Sequence, residues 1–119
     1  MSRRRIARNN FIALITIASC AASRVAYATG DVAAGKARAT TCTACHGEAG
    51  NSNNEAMFPT LAGKDAKFLY EQLKAFKDGT RKTPNAALMR PNTLTMTDQD
   101  MQNLAAYFAS QKPKKAAGK

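Results

Sequence analysis

The sequence is 119 residues long, carries 18 Lys and Arg against 8 Asp and Glu for a formal charge of +10, and is 45% hydrophobic. That length holds one small domain, and the chain shows no internal repeat that would mark a repeat architecture. The positive excess does not make a nucleic-acid binder, because the downstream lysines are spread along helical segments with no basic block before the tail.

In chain order, Arg3, Arg4, Arg5 and Arg8 precede the apolar run from Phe11 to Ala18. This is the layout of an export signal, with an apolar stretch too short to anchor in a membrane. The small-residue pattern Ala26-Tyr27-Ala28 predicts cleavage before Thr29, so residues 1–28 are expected to be a cleaved signal peptide. The domain is then expected over 29–111, followed by a basic disordered tail over 112–119. Cleavage removes five arginines (Arg3, Arg4, Arg5, Arg8, Arg24) and no acid, taking the charge from +10 to +5. Such a charge suits an acidic protein surface as well as simple solubility. Ile17-Ala18-Ser19-Cys20 resembles a lipobox, so no membrane anchor is expected unless Cys20 is lipidated.

Asp31 caps a first helix running from Val32 to Ala39, in which Val32, Gly35 and Ala39 share a face and the glycine admits a close neighbour. Cys42-Thr43-Ala44-Cys45-His46 follows and contains the single histidine of the chain. Two cysteines three apart on one helical turn can both add to the vinyl edges of a porphyrin, and the next residue can then meet the iron. This is the spacing of a c-type haem attachment site, with His46 as the proximal ligand. A zinc site would need a fourth ligand that the domain does not offer. A thioredoxin-like pair needs alternating strands and helices, and strand-like runs are nearly absent here. A plain disulfide leaves His46 without a role. Covalent attachment normally follows export of an unfolded chain, so the general secretory route is expected even though Ser2-Arg3-Arg4 faintly resembles a twin-arginine signal.

Gly47 to Asn54 reads as loop, and Pro59 closes it. Helical spacing of Phe68, Leu69, Gln72, Leu73 and Phe76 predicts a second helix over 65–78, ended by Gly79, with its aromatics facing the haem. Pro84 and Pro91 bracket a segment read as irregular loop. The third helix begins at the cap Thr97, with Met101, Leu104, Ala105 and Phe108 as its buried stripe and Pro113 beyond its end.

With one histidine, the second axial ligand is sought among the methionines. Met101 belongs to the buried stripe, and Met96 stands where it can staple onto Met101. Met57 lies close after His46, leaving little chain to pass round the haem edge. Met89, in the proline-stiffened segment, is the expected ligand.

The chain resembles the class I c-type cytochromes, specifically the short soluble bacterial monohaem kind. The resemblance rests on Gly30-Asp-Val-Ala-Ala-Gly-Lys36, Cys42-x-x-Cys-His46-Gly, Pro59-Thr-Leu-Ala-Gly63, Gln72-Leu-x-x-Phe-x-x-Gly-x-Arg81, Met89, Thr97-Asp-x-Asp100 and Ala105-Ala-Tyr-Phe108. It covers essentially all of the domain, although Met96 stands where relatives tend to carry leucine. The resemblance implies an all-α fold of three to four helices wrapped around one covalently bound haem c, held by Cys42 and Cys45 and ligated by His46 and Met89. It further implies that the carbonyl of Pro59 accepts from His46, that Arg81 reaches a haem propionate, and that the first and last helices cross near Gly35 and Tyr107. The function implied is a periplasmic electron carrier and not an enzyme, cycling Fe(II)/Fe(III) and meeting redox-partner proteins with acidic docking surfaces. The alternatives are a haem subunit of a larger periplasmic dehydrogenase, such as a sulfur-compound oxidising enzyme, and a haem protein with an open sixth position.

Overall fold

The computed structural model describes residues 30–114; the expected signal peptide and the end of the tail lie outside them. Every regular element among the described residues is helical. In order they are α1 (Val32–Arg38), α2 (Thr40–His46), a 3₁₀ turn (Glu48–Gly50), α3 (Ala66–Asp78), α4 (Ala86–Thr93) and α5 (Asp98–Ser110). No helix among them is long and apolar enough to cross a membrane.

The helix ends are set by short-range bonds. Asp31 Oδ1 accepts from Ala34 N at 3.0 Å and starts α1. Asp65 Oδ1 accepts from Phe68 N at 2.9 Å and starts α3, which ends where Gly79 adopts φ 72°. At α5, Thr97 Oγ1 accepts from Asp100 N while Asp100 Oδ2 accepts from Thr97 N, a reciprocal capping box. Two helices were not placed from the sequence, α4 and α2, the latter separating from α1 at Ala39 and carrying the Cys-x-x-Cys-His segment.

The expected loop around Met89 is a correction. Residues 86–93 are helical with Pro91 inside. Proline removes one donor and crowds the carbonyl four residues back, which argues against a long helix but tolerates a single short one. Here Asn92 Nδ2 donates to the Leu88 carbonyl at 3.0 Å, and the fully buried Thr93 donates Oγ1 to the Arg90 carbonyl at 2.8 Å. These side chains add hydrogen bonds to carbonyls of the same helix.

The core lies between α5 and its neighbours. Leu69, Met96, Met101, Leu104, Ala105, Tyr107 and Phe108 are buried together with Ala39. The first and last helices cross where the expected glycine stands: a Cβ on Gly35 would lie 2.8 Å from the Cβ of Tyr107. Gly35 and Ala39 are buried as their shared face requires, whereas Val32, at the helix start, is 44% exposed. Arg38 pairs with Asp100 at 3.0 Å across the same crossing. Tyr70 of α3 donates to Asp98, and Lys77 of α3 donates to the Met96 carbonyl, so α3 is tied to the start of α5 by polar contacts as well as by packing.

Residues 112–114 of the expected tail are bonded to the domain. Asn51, buried in the loop after α2, donates to the Lys112 carbonyl at 3.2 Å and accepts from Lys114 N at 2.6 Å. Pro113 packs so close to Gly63 that a Cβ there would stand 2.8 Å from the proline ring.

Candidate metal centre

A cleft of about 450 Å³ opens between α2, the loop after it, α3, α4 and α5. Its size falls in the range of small-molecule and cofactor sites. Phe68, Leu69, Gln72, Leu73 and Phe76 of α3 all line it, and Leu104, Ala105 and Phe108 form its α5 wall. Of these, the α3 aromatics Phe68 and Phe76 were expected to face the haem, and the α5 residues to be a buried stripe.

Cys42, Cys45 and His46 project from the short α2 into this cleft wall. Both thiols are free, with Cys42 half-buried and Cys45 exposed. Burial pushes the Cys42 thiol up from its ordinary value. His46 ends the helix because Gly47 takes φ 84° and turns the chain away.

The imidazole is fixed from two sides. Nδ1 lies 2.7 Å from the Pro59 carbonyl oxygen, which can only accept, so Nδ1 carries the proton and Nε2 the lone pair. Phe58 meets the ring edge-on at 6.1 Å and 71°. His46 is 5% exposed, and Nε2 is buried without a hydrogen-bond partner among the described residues. An abandoned buried acceptor costs on the order of 1–3 kcal/mol, and a metal ion at Nε2 removes that cost. No group of three or more His, Cys, Asp or Glu among the described residues is arranged to hold a bare metal ion. A paired-thiol helix, one oriented imidazole with a vacant lone pair and a large apolar cleft together fit a haem.

The four candidate methionines separate. Met96 and Met101 are 7% and 2% exposed in the core, as their packing roles require. Met89 lines the cleft from α4, which packs on α3. Met57 lines the cleft as well, which its chain position did not suggest, and it stands beside Phe58 and Pro59, the residues that hold the His46 ring. Met57 therefore shares the wall of His46, while Met89 comes from a separate element.

Arg81 lines the cleft, with Nη1 donating to Gln72 Oε1 at 2.7 Å and its guanidinium 4.5 Å from the Phe76 ring centre. These contacts hold a cation with spare donors at the cleft edge. Sequence reasoning missed Lys64, Asn85 and Asn92 in the lining. The signal for the last two was present: Asn85, Leu88, Met89 and Asn92 recur at i, i+3, i+4 and i+7, the stripe of one helix face. The prolines on either side masked it.

Comparison with known proteins agrees with this geometry. The family model described as Cytochrome c matches residues 32–112. The chain is 44% identical over 82 residues to cytochrome c-554(548) of Halomonas halodenitrificans, covering 69% of this chain and 98% of that protein. It is 46% identical over 88 residues to cytochrome c4 of Pseudomonas aeruginosa, covering 74% of this chain and 42% of that protein. It is also 45% identical over 69 residues to a protein of Stutzerimonas stutzeri named thiosulfate dehydrogenase electron acceptor, covering 58% of this chain and 32% of that one. The chain thus spans less than half the length of the last two relatives. The attachment motif, the helical cleft and this near-complete match to a small cytochrome lead to one conclusion: the chain belongs to the class I c-type cytochromes, electron-transfer proteins that hold haem c covalently and are not enzymes.

Proposed function

We propose that this protein is a periplasmic electron carrier with one haem, joined through Cys42 and Cys45 and ligated axially by His46 and Met89. The observation that carries the reading is His46 itself: its Nδ1 is committed to Pro59 and its buried Nε2 has no hydrogen-bond partner among the described residues. When bound, the haem supplies one reversible electron between Fe(II) and Fe(III). Pro59 sets the His46 tautomer, and Phe58 braces the ring. The apolar α3 and α5 walls exclude water, and a thioether from Met89 with this low-polarity lining favours Fe(II). Arg81 offers its spare donors to a propionate at the cleft edge. The N-terminal 28 residues act as the export signal, delivered by the general secretory route, and the mature domain begins at Thr29.

Absorption spectra of the oxidised and reduced protein, with the intact mass of native material, test this reading. A low-spin His/Met spectrum and a mass of the chain from Thr29 plus one haem are expected. A high-spin spectrum that changes on adding carbon monoxide would instead mean an open iron. A start at an acylated Cys20 would mean a membrane-tethered protein.

A second reading, a haem subunit of a larger periplasmic dehydrogenase, draws support from the relative named thiosulfate dehydrogenase electron acceptor. Native protein that elutes as a free monomer on size exclusion argues for the carrier; co-elution with a larger enzyme argues for the subunit.

A further inference from the structure

The loop after α2 turns back on itself at Pro59 and Thr60, and the peptide joining these residues is bonded on both sides. Its carbonyl, that of Pro59, accepts from His46 Nδ1 at 2.7 Å. Its N–H, that of Thr60, donates to Glu55 Oε2 at 2.9 Å. In a trans peptide these two groups point in opposite directions, so one rigid planar unit stands between a carboxylate and the imidazole. Glu55 is held there a second time, because Thr60 Oγ1 donates to its other oxygen. The same Oγ1 accepts from Ser52 N at 3.0 Å, which anchors the hydroxyl to the opposite side of the loop. The side-chain and then the backbone hydrogen bond from Thr60 hold the Glu55 carboxyl below its ordinary range, so it is ionised at neutral pH.

We propose that Glu55 is a tuning and positioning residue for the metal centre: its carboxylate, acting through the Pro59–Thr60 peptide, strengthens the bond from His46 Nδ1 and makes the imidazole a more anionic ligand. This rests on His46 being an axial ligand. The chemistry has three steps. A hydrogen bond to an ionised acceptor is stronger than a neutral one. Hydrogen bonds in a chain polarise one another, so the electron density that the carboxylate pushes from the peptide N–H through the amide toward its carbonyl makes that oxygen more basic. A more basic partner on Nδ1 raises the basicity of the metal-facing nitrogen. A more anionic ligand favours Fe(III), so Glu55 lowers the reduction potential relative to a chain with a neutral residue there.

The test is Glu55→Gln in the haem-loaded protein. Glutamine keeps an acceptor for the Thr60 N–H but loses the charge, so a purely structural role survives the substitution and the electrostatic one does not. Two readouts are needed: the reduction potential at low and high salt, and the proton resonance of His46 Nδ1–H in the reduced protein. The potential is expected to rise at both salt concentrations, and the Nδ1–H resonance to move upfield as its bond weakens. Loss of a charge acting only through space would also raise the potential, but salt screens that effect and the Nδ1–H bond would be unchanged. An unmoved resonance, or a potential shift that vanishes at high salt, overturns the inference. If wild-type protein shows no haem-shifted His46 resonance, the axial assignment itself fails; a normal wild-type spectrum with an unresponsive Nδ1–H in Glu55→Gln overturns this inference alone.

Discussion

Gly35 of α1 lies against the Asn103 backbone of α5 so closely that a Cβ on it would stand 2.0 Å from the Asn103 carbonyl oxygen. The obstacle is main chain, which cannot rotate aside as a side chain can. Gly35→Ala is therefore expected to push the two helices apart and destabilise the holoprotein. The loss should be about 1–3 kcal/mol, the usual scale of overpacking, despite alanine's better helix propensity. Guanidinium unfolding followed at the haem absorbance measures it. A variant as stable as wild type would mean that the crossing is looser than its geometry.

The proposed ligation by Met89 is tested by removing its thioether. Met89→Ala should abolish the weak near-infrared thioether-to-iron band and open the iron to carbon monoxide, while the thioethers to Cys42 and Cys45 keep the haem in place. The potential should fall by roughly 100 mV or more, on the scale set by axial-ligand identity. Met57→Ala and Met96→Ala should keep the band. Loss of the band on replacing Met57, which also lines the cleft, would move the ligand to the loop that holds His46.

Asp100 sets a pH dependence with a definite sign. The Thr97 backbone N–H, bonded at 2.8 Å, is the main cause holding its carboxyl below the ordinary 3.8, with the Thr97 hydroxyl and the Arg38 charge adding to it. A carboxyl whose folded value is depressed binds its proton less readily when folded. Its stabilisation is therefore complete above the ordinary value and is lost as pH falls through the folded one. Asp100→Asn should cost about 1 kcal/mol, the usual scale of an N-terminal cap. Thermal unfolding across a pH series should show that gap constant above about pH 5 and closing below about pH 4. A gap independent of pH would show that the charge contributes nothing.

Docking with a redox partner should respond to salt. Residues 29–119 carry a +5 excess of basic over acidic side chains, since five of the arginines behind the chain's +10 precede Thr29. Steering toward an acidic surface is screened by ions. Stopped-flow electron transfer with an acidic partner should therefore slow as ionic strength rises from low to moderate. Rates that stay flat would assign the charge to solubility alone.

What was legible in the sequence is what short-range chemistry decides. Cys42, Cys45 and His46 sit within one turn, so their common direction follows from helix geometry alone. Asp31, Asp65, Thr97 and Gly79 mark helix ends because each acts on backbone groups within a few residues. The α3 and α5 stripes were legible for the same reason, as was the pairing of Gly35 with the last helix once the family resemblance supplied the neighbour. Tertiary structure decided the rest. Residues 86–93 are helical because packing on α3 and the side-chain bonds of Asn92 and Thr93 outweigh the local penalty of Pro91, which sequence alone shows only as a breaker. Asn103 is buried to accept from the Asp31 backbone 72 residues away, and Asn51 to hold a tail more than 60 residues on. An asparagine in a list of residues does not announce such a partner, because the bond exists only after the chain has brought its ends together. The Pro59–Thr60 peptide between Glu55 and His46 is of the same kind: its three parts are near in sequence, but only the folded loop aims one face of that peptide at the carboxylate and the other at the imidazole.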